Sequence, residues 1–134
     1  MGVTVTLKKA GAGDIPRITR LLKEYRLPAS DVPDKIDSLF LALSDRHVVG
    51  IGGVELLGEY GLLRSLAVNR DDQGRGYGTA ITDALIGHAR ERGVRELFLL
   101  TIDAQQFFKR QGFEEIDRSL APVPIKETSQ FSCL

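Results

Sequence analysis

Gln73-Gly74-Arg75-Gly76-Tyr77-Gly78-Thr79 is the stretch on which the fold turns. It joins a hydrophobic run, Leu62-Leu63-Arg64-Ser65-Leu66-Ala67-Val68, to an amphipathic one in which Ile81, Ala84, Leu85, His88 and Ala89 recur at helical spacing. Alternate glycines let successive backbone N–H groups face one concavity, because no Cβ blocks close approach. The helix that follows adds partial positive charge at its first turn, so the loop suits a phosphate or pyrophosphate. A nucleotide P-loop would end in Gly-Lys-Ser/Thr, and Gly78-Thr79 has no lysine. A dinucleotide fingerprint counted from Gly74 would place its third glycine on Thr79, after strands that read as an antiparallel meander rather than a βαβ unit. The bland alternative is a solvent turn, against which the flanking strand and helix both weigh.

Working outward, Val3–Leu7 alternates Val or Leu with Thr and predicts a strand. Asp14 and Pro16 open a helix whose buried stripe is Ile15, Ile18, Leu22 and Tyr25, and Leu27-Pro28 stops it. The polar stretch Ala29–Asp37 reads as a loop or a short helix. Leu39–Ser44, the tight turn Asp45-Arg46 and His47–Leu57 form an antiparallel hairpin, and Gly58-Glu59-Tyr60-Gly61 turns the chain into Leu62–Val68. Beyond the loop, Gly93 closes the helix, and Glu96–Thr101 is apolar enough for a strand buried on both faces. A helix from about Asp103 to Gln111 stops at Gly112, Phe113–Asp117 follows as a strand, and Ser129–Cys133 is expected as a last strand in the tail. No repeat or linker interrupts residues 1–134, which read as one α/β (α+β) domain with a mixed, mostly antiparallel sheet flanked by helices.

The 134 residues carry 18 Lys+Arg against 18 Asp+Glu, a balance that argues against a sequence-independent nucleic-acid binder. No apolar run approaches membrane-spanning length, and no apolar signal core follows the N-terminus. One cysteine and two histidines leave no internal disulfide and no zinc cluster. The expectation is a small cytoplasmic domain, a monomer or homodimer, handling a small molecule without metal, nucleic acid or membrane.

The pattern Gln73-x-x-Gly76-x-Gly78 resembles the acyl-CoA pyrophosphate loop of the GNAT superfamily of acetyl-CoA-dependent N-acetyltransferases. Leu66-Ala67-Val68 resembles that family's central strand, and Phe107-Phe108-x-x-x-Gly112-Phe113 its late helix and following strand. The resemblance implies a V-shaped sheet, splayed between Leu62–Val68 and Leu97–Thr101, with acetyl-CoA in the cleft. It further implies that backbone groups of Gln73, Gly74, Arg75, Gly76, Tyr77, Gly78 and Thr79 hold the pyrophosphate. Leu66, Ala67 and Val68 would receive the pantetheine arm, and the Leu66 N–H would polarise the thioester carbonyl. A narrower resemblance, in Gly61–Val68, Leu99–Thr101, the Phe107-Phe108 pair and Pro124-Ile125-x-x-Thr128-x-x-Phe131-x-Cys133, is to arsenic-resistance N-acetyltransferases. The chain is similar, more distantly, to the catalytic domain of amino-acid (glutamate) N-acetyltransferases.

Two positions depart from the family pattern. Phe108 stands where many relatives place a thiolate-protonating tyrosine, which leaves water or the hydroxyls of Thr101 and Tyr77 for that task. Leu62 stands where several place a glutamate base. Strand alternation puts Leu62, Arg64, Leu66 and Val68 on one face, which therefore offers a guanidinium in place of a carboxylate. An Arg64 fork grips a carboxylate in bidentate fashion. The α-amine of an amino acid, near pKa ~8, also needs far less help from a base than lysine near ~10.4. Together these point to a small amine acceptor of amino-acid pattern, held by Arg64 with Thr101 nearby, and to Glu55 as base through a water. The competing reading pairs Arg64 with Glu55 or Glu59 across the hairpin and leaves Glu55 at a solvated edge.

His88 falls on the apolar stripe of its helix and reads as a core residue, and His47 reads as a turn residue. Lys109 and Arg110 read as a solvated helix face, Phe98, Phe107, Phe108 and Phe113 as core first, with Phe107 or Phe108, Phe108 above all, also bordering the cofactor's thioester, and Cys133 as structural rather than nucleophilic. Two other functions share the fold: an acetyltransferase acting on a protein N-terminus or lysine, and a non-catalytic acyl-CoA binder.

Overall fold

Asp45 and Arg46 both adopt left-handed backbone, φ 50° and 68°, the geometry of a two-residue hairpin turn whose twist matches its strands. That turn joins β2 (Leu39–Ser44) to β3 (His47–Leu57) in the computed structural model, which describes residues 3–134. The side chain of Cys133 lies outside the described residues, and with it the structural role expected for that thiol. With β1 (Thr6–Lys9), β4 (Tyr60–Val68) and β5 (Glu96–Leu99), the strands form one sheet in the order β1-β2-β3-β4-β5. All junctions are antiparallel except β4–β5, which is parallel because the connection crosses over through a helix. This is the mixed, mostly antiparallel sheet that the order of elements predicts.

Helices cover both faces. On one face, α1 (Ile15–Glu24) and α2 (Val32–Lys35) bury Ile18, Leu21, Leu22 and Val32 against Leu39, Leu41, Ile51 and Ala67. On the other, α3 (Tyr77–Glu91) buries Ile81, Leu85 and Ala89 against Phe40, Ala42, Val49, Val54 and Leu63. Successive residues of β2 thus serve opposite layers, as a pleated strand requires. Burial of Ile81 or Leu85 contributes roughly 1.5–3 kcal/mol each. Leu85 approaches the sheet closely because Gly52 lacks a side chain: a Cβ there would sit 2.7 Å from the leucine methyl.

The feature that shapes the site is a bulge in β4. Ile51 pairs with Ala67 and Gly53 with Arg64, so the β4 side holds one residue more than the β3 side, and Ser65 takes φ 59°. An extra residue reverses the in–out alternation beyond it. Leu63, Leu66 and Val68 therefore all belong to the α3 layer, whereas Arg64 reaches Asp31 beside α2. The alternation that placed Arg64 and Leu66 on one face is overturned for this reason.

Other expectations shift at the ends. The first strand lies slightly later than Val3–Leu7, and β4 starts at Tyr60 because Gly58-Glu59 alone makes the turn, with Gly58 at φ 70°. The polar stretch Ala29–Asp37 contains α2, opened by Pro33 in its first turn, and a 3-10 turn at Ile36–Ser38. Phe113–Asp117 is not a strand: the Phe113 N–H bonds the Phe108 carbonyl at 3.0 Å and closes α4 (Gln105–Arg110), after which the acidic residues stay exposed. Without that neighbour β5 lies at an edge, half-buried rather than covered on both faces. The tail forms α5 (Val123–Lys126) and α6 (Ser129–Cys133) instead of a strand, because the Thr128 hydroxyl caps α6 by accepting from the Phe131 N–H at 3.3 Å. Among the described residues no helix is long and apolar enough to cross a membrane.

Candidate functional site

The β4–β5 ladder ends at the pair Leu63–Leu99, and beyond it the two strands part. A cleft of about 440 Å³ opens between them. One wall is β4 from Leu63 to Val68, and the other is Leu99, Leu100 and Thr101 with Phe107 and Phe108 of α4. Gln73, Gly74, Gly76, Tyr77, Gly78 and Thr79 border one end, and Tyr25, Leu27, Pro28, Gln130 and Leu134 complete the enclosure. Of the residues singled out from sequence, Arg64, Leu66, Ala67, Val68, Thr101 and Phe108 line this space with that loop. Arg75 is exposed outside the lining, and Glu55 is buried away from it.

The loop is built as a nest. Gly74 and Gly76 take φ 78° and 90°, which L side chains rarely adopt, and Gly76 is the residue before the first turn of α3. The first bond into that helix runs from the Ala80 N–H to the Gly76 carbonyl at 3.1 Å. Among the described residues, the N–H groups from Gly74 to Thr79 have no acceptor in the protein. Side chains anchor the loop from behind: the Gln73 amide donates to the Tyr25 hydroxyl, which donates to the Val68 carbonyl at 2.7 Å. Buried Asp72 lies 3.3 Å from His47 Nε2, so His47 reaches the loop base from its turn position.

Leu66 stands at the bulge, outside the pairing registers of β3 and β5. Its backbone therefore borders the open stretch of β4, where a bound chain finds an unpaired edge.

Arg64 is committed within the protein. Its Nη1 and Nη2 donate to Asp31 at 2.7 and 2.6 Å, Nη1 also donates to Glu55 at 3.0 Å, and Nε donates to the Ser65 hydroxyl at 3.0 Å. Lys35 lies 3.3 Å from the other Glu55 oxygen, and the Ser129 hydroxyl of α6 donates to Asp31. The Arg64 side chain has no solvent exposure. Burial disfavours the charged form of Asp31, but the Arg64 and Ser129 hydrogen bonds and the Arg64 charge outweigh it and hold the carboxyl below its usual range. Burial likewise disfavours the Arg64 cation, and its pairing with Asp31 and Glu55 overcomes this and raises its pKa. The Arg64–Glu55 pairing foreseen across the hairpin is present, with Asp31 as second acid in place of Glu59. Asp31 carries no sequence signal, because it lies in a polar stretch with no periodicity to assign it a face.

The hydroxyls divide. Tyr77 donates to the Ser44 hydroxyl at 3.2 Å, whereas Thr101 accepts from the Ala104 N–H at 3.0 Å and keeps its own proton to give. His88 packs edge-on against Phe40, ring centroids 4.8 Å apart, and burial pushes its pKa down. Gln130 carried no sequence signal, yet it is buried in the cleft lining with its amide nitrogen unpartnered among the described residues.

Comparison with known proteins agrees with this geometry. The acetyltransferase (GNAT) family model matches residues 14–113. An amino-acid acetyltransferase from Mycobacterium tuberculosis is 30% identical over 122 residues, covering 83% of this chain and 69% of that protein. The structure of Rv2747 from Mycobacterium tuberculosis, in complex with CoA, superposes with a TM-score of 0.74 at 27% identity over 90% of this chain and 78% of that one. N-acetylglutamate synthase from Neisseria gonorrhoeae, complexed with coenzyme A and N-acetyl-glutamate, shares the fold at TM-score 0.81 and 24% identity over 95% of this chain and 32% of that one. With three quarters of its length from the first helix to Phe113 inside the family model, and with the splayed strands and glycine nest in place, the chain belongs to the GNAT family of acetyltransferases.

Proposed function

We propose that this protein moves the acetyl group of acetyl-CoA onto the amine of a small, amino-acid-like molecule by direct attack. The observation that carries the reading is the run of N–H groups from Gly74 to Thr79, unpaired among the described residues, at the end of the β4–β5 cleft. Such donors at a helix start fit a diphosphate without any lysine. When bound, acetyl-CoA supplies an activated thioester.

The chain's own groups account for the rest. The open edge of β4 binds the pantetheine amides as an added strand. The Leu66 N–H donates to the thioester oxygen as charge develops there, a contribution of roughly 2.7–4 kcal/mol for donors of this kind. Phe107 and Phe108 wall the cleft and exclude water. Thr101, oriented by the Ala104 N–H, gives its proton to the departing sulfur. Glu55, tied to Arg64 and Lys35, acts by fixing Arg64, and the amine proton leaves through water.

Similarity to amino-acid acetyltransferases supports the acceptor class. The tail residues Pro124, Ile125, Thr128 and Phe131 support a finer reading, in which the acceptor is an amino-acid-like arsenical masked in the cytoplasm. The test is thiol release from acetyl-CoA over a panel of amino acids, their arsenic and phosphorus analogues, and peptides with free N-termini or lysines. Release with the small amines supports the proposal. Release with peptides alone, or none despite cofactor binding, overturns it.

A further inference from the structure

Gln130 sits on α6 with 5% of its surface exposed, lines the cleft, and leaves its amide nitrogen without a partner among the described residues. Buried polar groups are almost always hydrogen-bonded, and an unmet one in a cleft wall marks a place for a ligand atom. Its position along the cleft follows from its neighbours. Ser129 donates to Asp31, and Asp31 holds Arg64, where the open stretch of β4 begins. The glycine nest lies past the other end of that stretch, after Val68. Gln130 is therefore at the acceptor end. The nearby cations are already paired, Arg64 with Asp31 and Glu55 and Lys35 with Glu55, while the neutral Gln130 amide in the cleft wall, unpartnered among the described residues, is free to meet an oxygen.

We propose that Gln130 recognises the acceptor: its amide N–H donates to the carbonyl or carboxylate oxygen on the carbon that bears the reacting amine. Ser129, Asp31 and Arg64 are positioning residues that hold α6 against β4. Arg64 thereby serves acceptor binding through Gln130 rather than by gripping a carboxylate. This inference rests on the acetyltransferase reading above.

The experiment compares acceptor KM for an L-amino acid, its carboxamide and the matching amine with neither group, in wild type, Gln130→Leu and Gln130→Glu. Calorimetric acetyl-CoA affinity and a thermal melt accompany each variant. Gln130→Leu should raise KM roughly ten-fold for the amino acid and the carboxamide, the size of one hydrogen bond, and leave the simple amine and acetyl-CoA unchanged. Gln130→Glu should penalise the amino acid more than the carboxamide, because two carboxylates then face each other. Ser129→Ala should reproduce the Gln130→Leu pattern, with Ser129→Thr restoring it. A KM unaltered by Gln130→Leu, or raised equally for all three acceptors, overturns the proposal. Loss of acetyl-CoA binding in wild type would instead overturn the acetyltransferase reading beneath it.

Discussion

Arg64 and Asp31 meet fork to fork, Nη1 to Oδ2 at 2.7 Å and Nη2 to Oδ1 at 2.6 Å, with the arginine side chain sealed from solvent. Removing one member of a buried pair leaves an uncompensated charge and typically costs about 3–5 kcal/mol. Glu55 still contacts Nη1 in an Asp31→Ala variant, so a loss at the lower end, about 3 kcal/mol, is expected. Urea unfolding measures it, and adding Glu55→Gln should cost more than Glu55→Gln does alone in the presence of Asp31.

The same pair predicts a pH dependence. Asp31 titrates below its ordinary value when folded, so the unfolded chain takes up the proton first as pH falls. The stabilisation is fully present above the unfolded pKa of ~3.9 and is lost as pH drops through the lower folded value. The stability gap between wild type and Asp31→Asn should be flat near neutrality and close on acidification. Unfolding curves across a pH series, read as the difference between the two proteins, check this.

Ser65 sets strain against a hydrogen bond. Its φ of 59° is costly for a residue with a Cβ, while its hydroxyl accepts from Arg64 Nε at 3.0 Å. Ser65→Ala loses the bond and keeps the strain, whereas Ser65→Gly loses both. Ser65→Gly should therefore be the more stable variant by about 1–2 kcal/mol in paired denaturant melts.

Those three residues also show what could be read from the chain. The glycine loop, the hairpin at Asp45-Arg46 and the stripe of α3 announce themselves because each rests on local chemistry: backbone freedom, turn geometry, helical period. The cleft residues Leu66 to Val68, and Gln73 to Thr79 apart from Arg75, follow from them. The bulge at Ser65 does not, since nothing local says that a strand will take an extra residue, and that one residue turns Arg64 away from Leu66. Asp31 and Gln130 reach Arg64 and the cleft from segments distant in sequence, so only the packed tail and the α1–α2 connection bring them there. The Phe113–Asp117 and Ser129–Cys133 segments read as strands in sequence, and exposed acidic side chains and a threonine cap decide otherwise.

Substitution separates Thr101 from Tyr77 as the proposed donor to the departing sulfur. Thr101→Val should lower kcat on the order of 10²-fold, with Thr101→Ser retaining most of the activity. Tyr77→Phe should leave kcat close to wild type, because its hydroxyl is engaged by Ser44. Initial rates at saturating acetyl-CoA, with solvent isotope effects on each variant, distinguish the two.

Cofactor binding on the proposed reading depends on the Gly74–Thr79 nest holding the diphosphate of acetyl-CoA. Gly76 takes φ 90° immediately before α3, and Gly76→Asp places both a side chain and a negative charge against the nest. Calorimetric titration of acetyl-CoA into wild type and Gly76→Asp is the most direct measurement. Saturable binding to wild type and none to a folded Gly76→Asp is the predicted result, and equal affinity in the two proteins would contradict it.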